Sequence, residues 1–289
     1  MTAEALLLWT ATVVYAISGA LAIASILRPS WSLGPKIPPL VMGAIGLHAG
    51  ALVARTIDLA AFPITSVHDG LSGFALLSAG VLVLVAKKLS IPQALVVGAP
   101  FLAVVSILAV AIEPAQVVPE ALRSVWLGVH IALALGGDAA LAVAGIVALI
   151  YLVQERRLKS KKSGPRPGSR LGGGARNGSG PQALPALELL DRASVRLIAL
   201  GFPLMTLGLL TGALYGKHVW GHYWSWEIRD TVSLLVWLLY GVMMYARWMI
   251  GWRGRKAALL TVVGVIAILL TFVGMGLIGG GTHGKDYLS

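Results

Sequence analysis

Polar and apolar positions alternate along this chain in long blocks. Eight apolar stretches, at 5–26, 38–60, 71–85, 94–112, 125–153, 195–215, 232–250 and 257–278, are separated by short polar segments. A helix needs about 20 apolar residues to cross a hydrocarbon layer, and these blocks are of that order, with 71–85 the shortest. They are too long and too continuously apolar to be barrel strands, which alternate apolar and polar positions. The pattern predicts an all-α polytopic membrane helix bundle with about eight transmembrane helices. One segment breaks the rhythm. From Ser160 to Pro185 the chain is rich in Gly, Ser, Pro and cations and has no apolar period. We expect residues 158–186 to be a disordered basic cytoplasmic linker between spans one to five (1–157) and spans six to eight (187–289). The sequence contains no internal repeat.

Composition agrees with this reading. Of 289 residues, 57% are hydrophobic and 12% charged, where a soluble domain carries about a quarter charged residues. Glu4 and the lack of early Lys or Arg argue that the first stretch is a retained span and not a cleaved leader. The absence of cysteine excludes disulfides and thiolate ligands.

The net charge of +11 changes meaning once it is mapped. Arg28, Lys36, Lys87, Lys88, the cations of the linker, Arg192, Arg196, Arg247, Arg253, Arg255 and Lys256 all fall on one side of an eight-span zigzag. Arg55, Arg123, Lys217, Arg229 and Lys285 fall on the other. The positive-inside rule then places both termini outside. The basic excess is an orientation signal for a lipid bilayer, and no nucleic acid is implied.

On that topology the chemistry collects at the outer face. Between spans six and seven lies Trp220-Gly221-His222-Tyr223-Trp224-Ser225-Trp226-Glu227-Ile228-Arg229-Asp230. Four large aromatics in seven positions suit a flat apolar ligand, although interfacial Trp and Tyr are also ordinary belt residues. His130 lies in the outer first turns of span five, and His283 in a glycine-flanked tail beyond span eight. Imidazoles from these two places could approach a haem iron from opposite sides. Glu227 and Asp230 suit the first turn of span seven as helix caps equally well. Arg229 or Lys217 has the charge to pair with a propionate. Asp138 and His48 lie within spans, where ionisable groups mark either a path or a satisfied polar contact.

From Val125 onward these residues resemble the CcsA/ResC family of system II cytochrome c assembly proteins. The family's outer loop reads close to W-G-x-Y-W-x-W-D-P-K-E-x-W. The flanking LLDRASVRLIALGFPLMTLGLLTGALYG and LLVWLLYG, the segment HIALAL…ALIYLVQERRLK and the ending GGGTHGKDY are also similar. The resemblance implies a haem-binding membrane subunit that holds haem at the outer face for attachment to apocytochrome c. It implies His130 and His283 as the iron ligands, with Trp220, Tyr223, Trp224, Trp226, Glu227, Arg229 and Asp230 around them and haem b as the transported substrate. The implied partners are a ResB/CcsB-type membrane protein, making the chain one component of a cytochrome c synthase, and a thioredoxin-like thiol reductant. The implied location is the bacterial cytoplasmic (inner) membrane.

Three departures stand out. Glu227-Ile228-Arg229-Asp230 replaces acid-Pro-Lys-Glu, Tyr245 stands where the family carries a span-seven histidine, and Val232 replaces a tryptophan. They leave room for a CcmC-like haem-delivery or HemX-like regulatory paralogue. The reading from another class is a proton-coupled transporter or quinone-interacting subunit using Asp138 and His48.

Overall fold

The computed structural model describes residues 2–63, 66–116, 123–162, 185–226 and 228–277. It contains eight long helices: α1 (Ala3–Leu27), α2 (Ile37–Leu59), α3 (Val67–Lys88), α4 (Gln93–Val110), α5 (Val125–Lys162), α6 (Leu187–Trp220), α7 (Ile228–Trp248) and α8 (Arg255–Leu277). No strand occurs among the described residues, and all eight helices are long and apolar enough to cross a membrane. The protein is a multi-pass helical membrane protein.

Helix ends depart from the apolar blocks where polar residues find partners. α3 begins at Val67, ahead of the expected 71, because Ser66 caps it: its hydroxyl accepts from the Asp69 amide at 3.3 Å. In this polar first turn His68 and Asp69 are buried and paired. α5 runs 38 residues and α6 34 residues, about 57 and 51 Å at 1.5 Å per residue, well beyond a 30 Å hydrocarbon layer. Their polar extensions carry the i,i+4 pairs Glu155–Lys159 and Glu188–Arg192, which support exposed helix. Leu158–Lys162, expected in the linker, therefore continue α5. Residues 163–184 of the linker, Glu227, the side chain of Arg229 and the tail bearing His283 lie outside the described residues.

Neighbouring helices run antiparallel. The start of α1, the end of α2, the start of α3 and the end of α4 meet at one end of the bundle, where Glu4 contacts His68 and Arg55 contacts Asp69. The start of α5 meets the end of α6 through Trp126 Nε1, which donates to the Thr211 carbonyl at 3.1 Å. At the opposite end of this pair Arg247 on α7 donates to Asp191 on α6 at 2.6 Å. α1 packs on α2 and α4, α3 on α4 and α5, and α8 on α5 and α7. Phe74 on α3 stacks on Phe272 on α8 at 4.8 Å and meets Phe101 on α4 edge-on at 5.9 Å, joining the two groups of helices.

The most extensive contact is between α5 and α6. Lipid tails are as apolar as leucine, so helices in a bilayer associate by close packing, and small residues make close packing possible. A Cβ at Gly137 would lie 2.6 Å from the Met205 amide nitrogen. At Gly201 it would lie 2.8 Å from Leu141 Cγ and 2.9 Å from the Gly137 carbonyl oxygen. At Gly208 it would meet the Ala134 backbone at 3.0 Å. Backbone faces backbone along this seam. Gly201→Ala should therefore lower the melting temperature of the purified protein, an overpacking cost of about 1–3 kcal/mol. Gly43→Ala, where a Cβ meets nothing within 4 Å, should raise it through helix propensity, by up to about 1 kcal/mol. Thermal unfolding in detergent, followed by ellipticity, distinguishes the two signs.

Candidate functional site

His130 lies one turn into α5, half-buried against α6. Its Nδ1 is 2.8 Å from the Gly208 carbonyl oxygen. A carbonyl only accepts, so Nδ1 carries a hydrogen, and in the neutral ring the lone pair is on Nε2. A histidine fixed this way, one ring nitrogen donating to a main-chain carbonyl, has the tautomer and orientation of a metal ligand. The Gly208 oxygen also accepts from the Thr211 hydroxyl at 3.0 Å.

The imidazole needs room, and Gly212 supplies it. A Cβ there would lie 2.5 Å from His130 Cε1 and 2.9 Å from Nδ1. Gly208, Gly212 and Gly216 are spaced four apart along α6. The first admits the backbone of α5, the second the imidazole, and the third the ring of Trp220, whose Cε3 would lie 3.3 Å from a Cβ at Gly216. One glycine ladder thus positions the histidine and the first tryptophan. Trp220 lies eight residues beyond Gly212, about 12 Å along the axis, at the end of α6.

The chain leaves α6 through Gly221, in the left-handed region at φ +79°. Trp220 stands edge-on to Tyr215 at 5.9 Å. Lys217 donates to the Gly221 carbonyl at 2.8 Å, and its ammonium lies 5.5 Å above the ring of exposed Tyr223. Trp224 meets Trp226 edge-on at 6.3 Å. Trp226 is 75% exposed and has φ +56°. A bulky side chain in that region costs about 1–3 kcal/mol, and such strain collects at ligand clamps. Trp224 is the reverse case. Its indole nitrogen is buried and has no hydrogen-bond partner among the described residues, although buried indole N–H groups ordinarily find one.

The acidic end of the segment has a structural part. Asp230, in the first turn of α7, accepts from the Ser225 hydroxyl at 2.5 Å, and the Thr231 hydroxyl donates to the Trp226 carbonyl at 3.4 Å. These contacts tie the aromatic segment to the start of α7. Of the residues singled out in sequence, His130, Trp220, Tyr223, Trp224, Trp226 and Asp230 all lie at this end of the bundle. Glu227, the Arg229 side chain and His283 lie outside the described residues. Tyr245, at the expected histidine position of α7, is 62% exposed on the bundle surface.

Residues 64–283 match the family described as Cytochrome C assembly protein. Proteins named cytochrome c biogenesis protein CcsA are similar over most of this chain. The one from Synechococcus sp. (strain JA-3-3Ab) is 31% identical over 83% of this chain and 83% of its own. The one from Thermosynechococcus vestitus is 33% identical over 81% and 82% respectively.

The chain belongs to the CcsA family of cytochrome c assembly proteins.

In this CcsA-family chain the glycine ladder that seats His130 is the part of the site that motif reading passed over. Its signal was present: small residues every fourth position in an apolar helix mark a packing face. Gly212→Ala should push the imidazole off the Gly208 carbonyl. In protein labelled with 15N-histidine, the downfield Nδ1–H resonance of His130 is expected to disappear in the variant and to persist in Gly43→Ala.

Proposed function

We propose that this chain is a haem-handling membrane subunit of cytochrome c biogenesis, which holds haem b at the outer face of the bacterial inner membrane, between His130 and His283, for attachment to apocytochrome c. The observation that carries the reading is His130 held through Nδ1 by the Gly208 carbonyl, at the same end of the bundle as the tryptophan segment. Low-spin haem takes one imidazole on each face, and His283 in the tail supplies the second.

Around the iron, Trp220, Tyr223, Trp224 and Trp226 offer aromatic surface to the macrocycle. The buried indole N–H of Trp224 lacks an acceptor among the described residues, and a propionate oxygen supplies one. Arg229 adds charge to the carboxylate side, with Glu227 and Asp230 framing the start of α7. With no thiol in this chain, the thioether sulfurs come from the apocytochrome, kept reduced by a thioredoxin-like reductant. A ResB/CcsB-type membrane protein completes the synthase.

The test is the absorption spectrum of protein purified in detergent. Wild type should show low-spin bis-histidine haem. His130→Gly and His283→Gly should each lose it, and added imidazole should restore it by filling the vacated coordination position. Trp224→Phe should keep the low-spin spectrum but weaken haem retention by roughly three- to tenfold, the worth of one hydrogen bond. Spectra unchanged in both histidine variants would overturn the proposal.

A further inference from the structure

The turn from α7 to α8 takes no part in the site around His130, yet it carries charge that this chain does not answer. No Asp or Glu occurs between Asp230 and Asp286, whereas Arg253, Arg255 and Lys256 lie close together in the turn and are all exposed. Among the described residues, the acids at this end of the bundle are Glu155, Glu188 and Asp191, paired with Lys159, Arg192 and Arg247. None of these acids lies within 4 Å of the turn cations. Arg253 adds only a longer-range field to Glu188, whose carboxyl its bonded partner Arg192 already holds below the usual pKa. Arg255 and Lys256 stand in the first turn of α8, where the helix macrodipole is positive and an acid is the favoured residue. Compensation is left to an anion outside the chain.

The turn is a formed surface. The Met249 amide donates to the Tyr245 carbonyl at 2.8 Å, and the Trp252 amide to the Ala246 carbonyl at 3.0 Å. At Gly254, with φ +70°, the backbone approaches α5 so closely that a Cβ would lie 3.1 Å from the Tyr151 hydroxyl. The Lys256 ammonium lies 6.0 Å from the centre of the Trp252 ring. Beside these cations Trp248, Met249 and Ile250 are each at least 60% exposed. Arg255 also heads a stripe. Leu259, Val263, Ile266 and Leu270 follow it at helical spacing, are exposed, and lie in a span, where the solvent is hydrocarbon. Cations, interfacial aromatics and apolar stripe thus stand in the order of phosphate, glycerol and acyl chain in a phospholipid.

We propose that the α7–α8 turn is a headgroup site for an anionic phospholipid. Arg253 and Arg255 hold its phosphodiester, Trp252 lies at the level of the glycerol, and one acyl chain runs along the α8 stripe. A zwitterionic lipid brings a cation of its own against this surface and is disfavoured. Free phosphate meets the same cations but has nothing to place on the stripe.

The test uses the full chain, delipidated in neutral detergent and titrated with dioleoylphosphatidylglycerol or dioleoylphosphatidylcholine, with bound lipids counted by native mass spectrometry. Wild type should bind the first phosphatidylglycerol roughly ten- to thirtyfold more tightly than phosphatidylcholine, the worth of two cations beside an anionic lipid. Arg253→Gln combined with Arg255→Gln should remove that preference. Lys87→Gln combined with Lys88→Gln takes the same charge from the end of α3 and should leave it intact. Inorganic phosphate in large excess should not displace the lipid. Equal binding of the two lipids by wild type, or a preference that survives the arginine substitutions, would overturn the proposal. So would equal loss in both double variants, which marks a diffuse basic surface, or displacement by phosphate, which marks a plain anion site.

Discussion

The whole site depends on how closely α5 approaches α6. With no hydrophobic gain on offer between helices in a bilayer, contact strength comes from atoms brought near one another. Gly137 and Gly201 remove the side chains that would otherwise separate the two backbones. Only at that separation can the imidazole of His130 reach the Gly208 carbonyl. The histidine's tautomer is thus set by helix packing, and packing is set by which residues lack a Cβ.

Charge has a different duty at each end of the bundle. Arg247–Asp191 joins α7 to α6 at the basic end, and Arg55–Asp69 joins α2 to α3 at the other. Both bring ionised groups into a protein whose surroundings are apolar, where an unpaired charge is costly and a pair is tolerated. Glu4 and His68 differ because one proton between imidazole and carboxyl satisfies both atoms of their contact. The two groups of helices therefore contribute unlike arrangements: an imidazole held by a main-chain carbonyl between α5 and α6, and a buried acid–imidazole contact between α1 and α3.

Much of this was legible in the sequence. The eight spans follow from apolar length alone, and only their ends were misjudged. α3 starts early because Ser66 caps it and His68 and Asp69 find partners on α1, α2 and α4, which local hydropathy cannot register. The aromatic segment and His130 stood out by residue type, whereas the φ of Trp226 did not, since nothing in its neighbours announces a left-handed tryptophan. Glu4 and His68 are 64 positions apart, so their contact exists only once the helices are assembled. The Gly208–Gly212–Gly216 spacing could be read but was silent about what each gap admits. The structure assigns the gaps to a backbone, an imidazole and an indole.

The atom that orients His130 belongs to the main chain. Where a histidine leans on a carboxylate or an amide side chain, one codon change can remove the support. Here no substitution at position 208 deletes the acceptor, because every residue carries a carbonyl. The hold on this imidazole is lost through space and not through its acceptor. A Cβ at Gly212 would displace the ring, and one at Gly208 would part the two backbones. The vulnerable positions are glycines that make no hydrogen bond to it by a side chain.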